Sequence, residues 1–267
     1  MDTETAHAHC NAGCSHQDCG SVLTIRALSG MSGDMLLCGL MRMNDLDSGD
    51  LEPTLSGIMP ELAGCLGLER ASVRHVGGWR LRVDLPCQHV HRTMDDMERI
   101  ISESPLGERA RSLALDCFGR VARAEAAVHD QDWREVRFHE VGALDSILDI
   151  LLACDLFARL APDRLVASPL PVADGQICCA HGLLPSPAPA VLEMLGNVPV
   201  RPFSGSGETV TPTGLALLLA FGASFGPWPA MLVRRQALVY GSRVFENAPN
   251  GAIFAYGESA ENGAQPR

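Results

Sequence analysis

The chain is 267 residues long, 46% hydrophobic and 20% charged, with a net charge of −11 at pH 7. That length accommodates one large domain or two small ones, and the composition excludes a disordered chain. The acidic balance argues against nucleic acid or an anionic membrane surface as a partner, and no apolar run approaches the roughly 18 residues that span a bilayer.

Residues 1–20 read as a disordered tail carrying His7, His9, Cys10, Cys14, His16 and Cys19, with no hydrophobic period. Thiolate and imidazole suit Zn, Ni or Cu(I), and no second ligand pair follows at zinc-finger distance. The tail is therefore expected to be a flexible metal-acquisition arm, or else an end without function. It also lacks the apolar segment of a signal peptide, so the expected location is the cytoplasm.

From residue 21 onward, strand-like and helical runs alternate, which predicts a single α/β domain, a sheet covered by helices. A strand from Val22 to Leu28 leads through SGMSGD into a helix capped by Ser32 or Asp34. A second helix is expected over Gly49 to Cys65, with Pro53 in its first turn. ASVRHV and LRVDLP read as strands around a Gly77-Gly78 turn. Thr93 to Ser102 and Leu106 to His129 read as helices, the second started by Pro105. The helix after them ends near Leu160, before Pro162, so residues 93–160 form a mostly helical segment and a candidate subdomain. Beyond it, RLVASPLPV is expected as a strand, PAPAVLEML as a short helix, VPVRPF as a strand and PTGLALLLAF as a helix. AMLVRRQALVY and AIFAYGE close the chain as strands. Cys38, Cys65, Cys117 and Cys154 stand isolated in apolar surroundings and are expected to be free thiols.

The segment VRFHEVGALDSILDI, Val136 to Ile150, is the richest in chemistry. His139 and Glu140 sit just before a helical pattern, and Asp145 and Asp149 lie four apart within it, on one face. Like charges at that spacing repel, and carboxylates are rarely buried unless paired or bound to a metal. Either a divalent cation offsets the repulsion or the pair lines the solvated side of an ordinary helix. His89 and His91 flank one residue in PCQHVHR, and in an extended chain both imidazoles face one side. His181 follows the vicinal Cys178 and Cys179 in a Gly/Pro-rich loop.

Two glycine-rich loops precede helices: SGMSGD, with Ser29, Gly30, Ser32, Gly33 and Asp34, and SGSGETVTPTG, with Glu208, Thr211 and Thr213. Backbone amides at a helix start attract anions, so either loop is a candidate phosphate site, with plain helix capping as the alternative. Neither a Walker A nor a dinucleotide fingerprint is present, and no nucleophile elbow stands out.

Taken together, SGMSGDM, HVHR, VRFHEVGALDSILDI, ASPLP, CAHGLLPSPAPAVLEML and ETVTPTGLALL, in this order over roughly Leu23 to Gly257, resemble the LarC family of nickel-insertion proteins. The resemblance implies insertion of nickel into pyridinium-3,5-bisthiocarboxylic acid mononucleotide, yielding the nickel-pincer cofactor of lactate racemase-type enzymes. It implies a nickel chelatase of the lyase class that uses Ni²⁺ together with CTP and Mn²⁺ or Mg²⁺ and serves an apo-racemase. The resemblance falls on blocks that contain His89, His91, His139, Glu140, Asp145, Asp149 and His181 but assigns them no roles. On their chemistry His89, His91, His139, Asp145, Asp149 and His181 are expected as metal ligands, and Glu140 or His139 as the base that removes the ring proton.

Members of that family continue into a C-terminal CTP-binding domain, and this chain stops near that junction, so a separate CTP-binding polypeptide is an expected partner. Arg26-Ala27 stands where members carry Asp-Pro, and only Cys87, His89 and His91 remain of a longer His-rich insert. The N-terminal His/Cys tail is expected to replace that nickel store. The competing expectation is a non-enzymatic nickel carrier or partner subunit that lacks the CTP-dependent step. A metal-dependent hydrolase also fits the carboxylates but has no recognised signature here.

Overall fold

Val22, Leu23, Thr24 and Ile25 are buried in succession, so both faces of this strand are covered, which marks the centre of a sheet. In the computed structural model, which describes residues 20–85, 92–138, 141–179, 182–246 and 248–260, that strand is β1 (Ser21–Ala27). It is followed by α1 (Gly33–Met43), α2 (Ser48–Ile58), a short 3-10 turn over Pro60–Leu62, β2 (Leu66–Val73) and β3 (Val76–Val83). Next come β4 (Arg92–Thr93), α3 (Met94–Glu103), α4 (Glu108–His129), β5 (Arg137–Phe138) and α5 (Leu144–Leu160). Then follow β6 (Arg164–Ala167), β7 (Leu170–Ala173), β8 (Gln176–Cys179), β9 (Gly182–Pro185), α6 (Pro189–Leu195) and β10 (Val200–Phe203). The described chain closes with α7 (Pro212–Ala220), β11 (Ser224–Phe225), β12 (Met231–Val239) and β13 (Ala252–Ser259).

Seven strands form one mixed sheet in the order β11-β6-β1-β13-β12-β3-β2. β1 runs parallel to β6 and antiparallel to β13, in the register Ile25↔Ala167 and Ile25↔Phe254. The Thr24 hydroxyl, buried in the middle of β1, donates to the Val166 carbonyl at 2.9 Å. α1 packs on β12, β13 and β3, while α5 and α7 pack on α1 and α4 lies over α5 and α7. This is the α/β architecture expected from the alternating pattern. No helix among the described residues is long and apolar enough to cross a membrane.

α5 is the centre of this packing. Leu148, Ile150, Leu151 and Leu152 are wholly buried, so it is apolar nearly all round, as a helix covered on every side must be. Truncating one of them, as in Leu151→Ala, costs about 2–5 kcal/mol. Residues from α3, α4 and α5 belong to the same continuous apolar core as the sheet. α5 ends at Ala161, which takes a left-handed conformation (φ 44°) just before Pro162.

The structure departs from the sequence expectations at several points. α2 stops at Ile58, because Pro60 disfavours helix at the residue before it, and the chain then turns once before β2. Pro53 lies inside α2, past its first turn. The hairpin turn is made by Arg74 and His75, both at positive φ (52° and 67°), which gives a two-residue turn of the hand a hairpin needs. Gly77 and Gly78 instead lie within β3. A β-carbon on Gly78 would sit 2.6 Å from the Tyr240 ring, so this glycine serves close packing. RLVASPLPV is two strands in different sheets. Ser168 breaks the run: its amide donates to Ile25 O (2.9 Å) and its hydroxyl accepts from Ala27 N (3.0 Å). β7 then leaves to pair with β10.

Candidate functional site

The two glycine-rich loops, residues 29–34 and 204–214, are joined in the fold. Met31 and Val210 form a parallel bridge; Met31 N donates to Thr209 O (2.8 Å) and Thr211 N to Met31 O (3.1 Å). Glycine makes the approach possible: a β-carbon on Gly30 would lie 1.9 Å from Thr209 O, and one on Gly214 2.5 Å from Met31 O. α1 and α7 therefore begin side by side. Ser32 is the N-cap of α1 by position, but its hydroxyl donates to Asp34 Oδ1 and makes no capping bond. Thr211 does cap α7, accepting from Gly214 N at 3.1 Å, and its hydroxyl also meets that of Thr213 at 2.9 Å.

Below the start of α1 lies a cleft of about 660 Å³, lined by Asp34 of α1, Asp145 and Asp149 of α5, Thr213 of α7 and Leu81 of β3. The i, i+4 spacing of the α5 aspartates does put both on the cleft. Asp145 is exposed, with Oδ1 accepting from Ser146 N at 2.8 Å. Asp149 is half-buried against the first residue of α1. Burial pushes its carboxyl well above the ordinary carboxylate range, and Asp34 and then Asp145 push the same way. Burial also raises Asp34, against hydrogen bonds from Ser32 and the Met35 and Asp34 amides and the field of Arg80. Such a group of carboxylates favours a bound cation, whose charge would remove the repulsion. Among the described residues, no group of three or more His, Cys, Asp or Glu side chains comes together closely enough to hold a metal ion.

A second cleft of about 630 Å³ adjoins the first and shares Ser32, Thr211 and Ser242 with it. Gly30, Thr209, Glu208, Arg243 and Phe245 line it. Arg243 Nη1 donates to Glu208 O at 3.3 Å. Phe245 packs edge-on against Phe203 with ring centroids 4.9 Å apart, and Asn250 clamps its backbone from both sides (2.7 and 2.8 Å). Ser29 also borders this cleft, but it is buried and its hydroxyl accepts from Gly251 N at 2.9 Å, which is a structural task.

The sequence-predicted residues thus divide. Asp34, Asp145, Asp149, Gly33 and Thr213 meet at the acidic cleft, Ser29 and Gly30 at its neighbour, and Ser32 and Thr211 at both. Asp34, expected at a phosphate loop, shares its cleft with Asp145 and Asp149. His89, His91, His139, Glu140 and His181, with tail residues His7, His9, Cys10, Cys14, His16 and Cys19, lie outside the described residues. The described chain on either side is informative, however. Arg92 pairs with Phe138 and Thr93 with Arg137 across β4 and β5. Arg92 is buried and donates to Gly142 O, and a β-carbon on Gly142 would lie 2.8 Å from Phe138 O.

Sequence reasoning missed Arg92, Ser242 and Arg243. The signal for Arg92 was its place beside two histidines. Arg243 carried none, because the loop after β12 reaches the site only through the sheet. Gly222 to Gly226 does spell GxSxG, yet Ser224 lies in edge strand β11 and its hydroxyl donates to Leu165 O at 2.9 Å, so no nucleophile elbow forms.

A family model described as "Nickel insertion protein" matches residues 23–265. A Desulfitobacterium hafniense protein named pyridinium-3,5-bisthiocarboxylic acid mononucleotide nickel insertion protein is 39% identical over 235 residues, 87% of this chain and 57% of the relative. A Nocardioides protein of the same name is 36% identical over 242 residues, 91% of this chain and 61% of the relative. A relative from Syntrophotalea carbinolica is 40% identical over 86% of this chain and 58% of its own length. The chain spans about three-fifths of these relatives. No solved structure matches it. The chain belongs to the nickel insertion protein family.

Proposed function

We propose that the chain is a nickel chelatase that inserts Ni²⁺ into pyridinium-3,5-bisthiocarboxylic acid mononucleotide. The observation that carries this reading is the acidic cleft around Asp149, opening beside a second cleft sized for a mononucleotide. Nickel enters as a substrate. Asp149 and Asp34 hold it from one side, and Asp145 adds charge at the mouth. His89, His91, His139 and His181 are the proposed imidazole ligands, a donor type that suits nickel. The pairing Arg92↔Phe138 supports a shared site for the first three. Oxygen and imidazole hold nickel less tightly than the two thiocarboxylate sulfurs that receive it, which gives transfer its direction.

Metal–carbon bond formation requires loss of a ring proton, and Glu140 or His139 is the proposed base. Asp34 and Asp149, whose proton affinity is raised in the metal-free protein, are suited to regain protons from solvent as nickel leaves. Dependence on CTP with Mn²⁺ or Mg²⁺ is proposed for the part of the relatives that this chain does not cover, supplied in the same or a separate polypeptide. A cytoplasmic location and an apo-racemase as the recipient of the product belong to the same proposal.

The test is incubation of the chain with Ni²⁺ and the bisthiocarboxylate mononucleotide, with and without CTP and Mn²⁺ or Mg²⁺, followed by mass spectrometry of the small molecule. A nickel-bearing mononucleotide that activates apo-racemase is expected. Nickel retained on the protein under every condition would instead make it a carrier.

A further inference from the structure

All 21 basic residues of the chain are arginine. Every fixed positive charge is therefore a planar guanidinium suited to two-point contact with an oxyanion. Among the described residues, one arginine lines the two clefts: Arg243, in the second. Its guanidinium lies over the backbone of Gly207, where a β-carbon would come within 2.3 Å of Nη1. Gly207 has φ +88°, so glycine both permits the turn and leaves room for the arginine. Nη1 is tied to Glu208 O, and that bond uses one of five donors.

The bisthiocarboxylate mononucleotide carries an aromatic pyridinium with two thiocarboxylates at one end of its ribose and a phosphate at the other. The second cleft offers Arg243 for the anion, and the Phe245 ring beside it, 6.0 Å from the guanidinium carbon, as an apolar face on which an aromatic ring can pack. The acidic cleft disfavours a phosphate, because Asp34, Asp145 and Asp149 line it and Asp34 already takes the Met35 amide at the start of α1. We propose that Arg243 is the phosphate-binding residue of this protein and sets the orientation of the mononucleotide. The proposal rests on the substrate reading above. It turns the reacting ring toward Ser32, Thr211 and Ser242, the border with the acidic cleft.

The test compares nicotinic acid mononucleotide with nicotinic acid riboside by calorimetry on the full chain, on Arg243→Gln and on Arg243→Lys. The unaltered protein is expected to prefer the phosphorylated probe by about tenfold or more, the worth of a charge-assisted hydrogen bond. Arg243→Gln is expected to bind the two probes within about twofold of each other, and Arg243→Lys to keep part of the preference. Nickel binding measured separately is expected to be unchanged in both variants, since Arg243 does not line the acidic cleft. A preference retained by Arg243→Gln overturns the assignment, as does an unaltered protein with no preference for phosphate. Loss of the substrate reading would appear elsewhere, as failure of nickel to reach the mononucleotide despite intact probe binding.

Discussion

Gly33 and Asp149 meet with no space for a side chain between them: a β-carbon on Gly33 would lie 2.6 Å from Asp149 Oδ2 and 2.9 Å from its Cβ. The first turn of α1 is thereby pressed against the carboxylate that α5 delivers to the cleft. Gly33→Ala must displace that carboxylate or the helix, at about 1–3 kcal/mol for overpacking. Calorimetric titration with Ni²⁺ is expected to show affinity falling about tenfold or more, with a lower melting temperature. Gly49→Ala is the control. Nothing lies within 4 Å of its β-carbon, and alanine is the better helix former, so stability is expected to hold or rise with nickel affinity unchanged.

The raised proton affinity of Asp149 makes the metal-free protein pay for its site at neutral pH. Its folded value lies above the unfolded one, so its stabilising contribution is full below the unfolded value, near 4, and is lost as pH rises through the folded value. Asparagine carries no such penalty. In chelator-treated protein, Asp149→Asn is expected to melt with the unaltered chain at pH 4 and above it at pH 7. Each 1 kcal/mol of relief corresponds to about 2–4 °C in a domain of this size. Equal melting temperatures at pH 7 would contradict the burial of this charge.

The bridge between Met31 and Val210 makes the two glycine loops one unit. Gly214→Ala, whose β-carbon would press on Met31 O at 2.5 Å, is expected to weaken nickel and mononucleotide binding together, because α1 and α7 would separate. Loss of one without the other, in parallel titrations, would show that the loops act independently.

Cys38, Cys65, Cys117 and Cys154 are free and buried. Burial pushes the Cys38 thiol up to about 12 and raises Cys65, Cys117 and Cys154 as well. Since the thiolate is the reactive form, none of these four is expected to react with iodoacetamide at pH 7 until the chain is unfolded. Peptide mapping of labelled native protein, with modification at any of the four, would show otherwise.

Elements set by local pattern were legible in the sequence. α4, α5 and α7 follow from their long apolar periods, and Asp145 and Asp149 share a face because helical spacing requires it. What escaped was non-local. Nothing in the sequence around Asp34 tells that it shares a cleft with Asp149, because that depends on the packing of α1 against α5. Arg243 reaches the site only because β12 runs beside β13, and the two glycine loops looked alike but separate until one bridge joined them. The break at Ser168 was hidden by a run of strand-forming residues that serves two sheets.

The nickel stoichiometry of Asp149→Asn, measured by equilibrium dialysis of the full chain, tests the central claim most directly. The variant is isosteric, and its loss of charge favours the apo fold, so reduced binding would not reflect unfolding. It is expected to bind one Ni²⁺ fewer per chain, or to bind it about tenfold or more weakly. Unchanged stoichiometry and affinity would mean that nickel is held elsewhere.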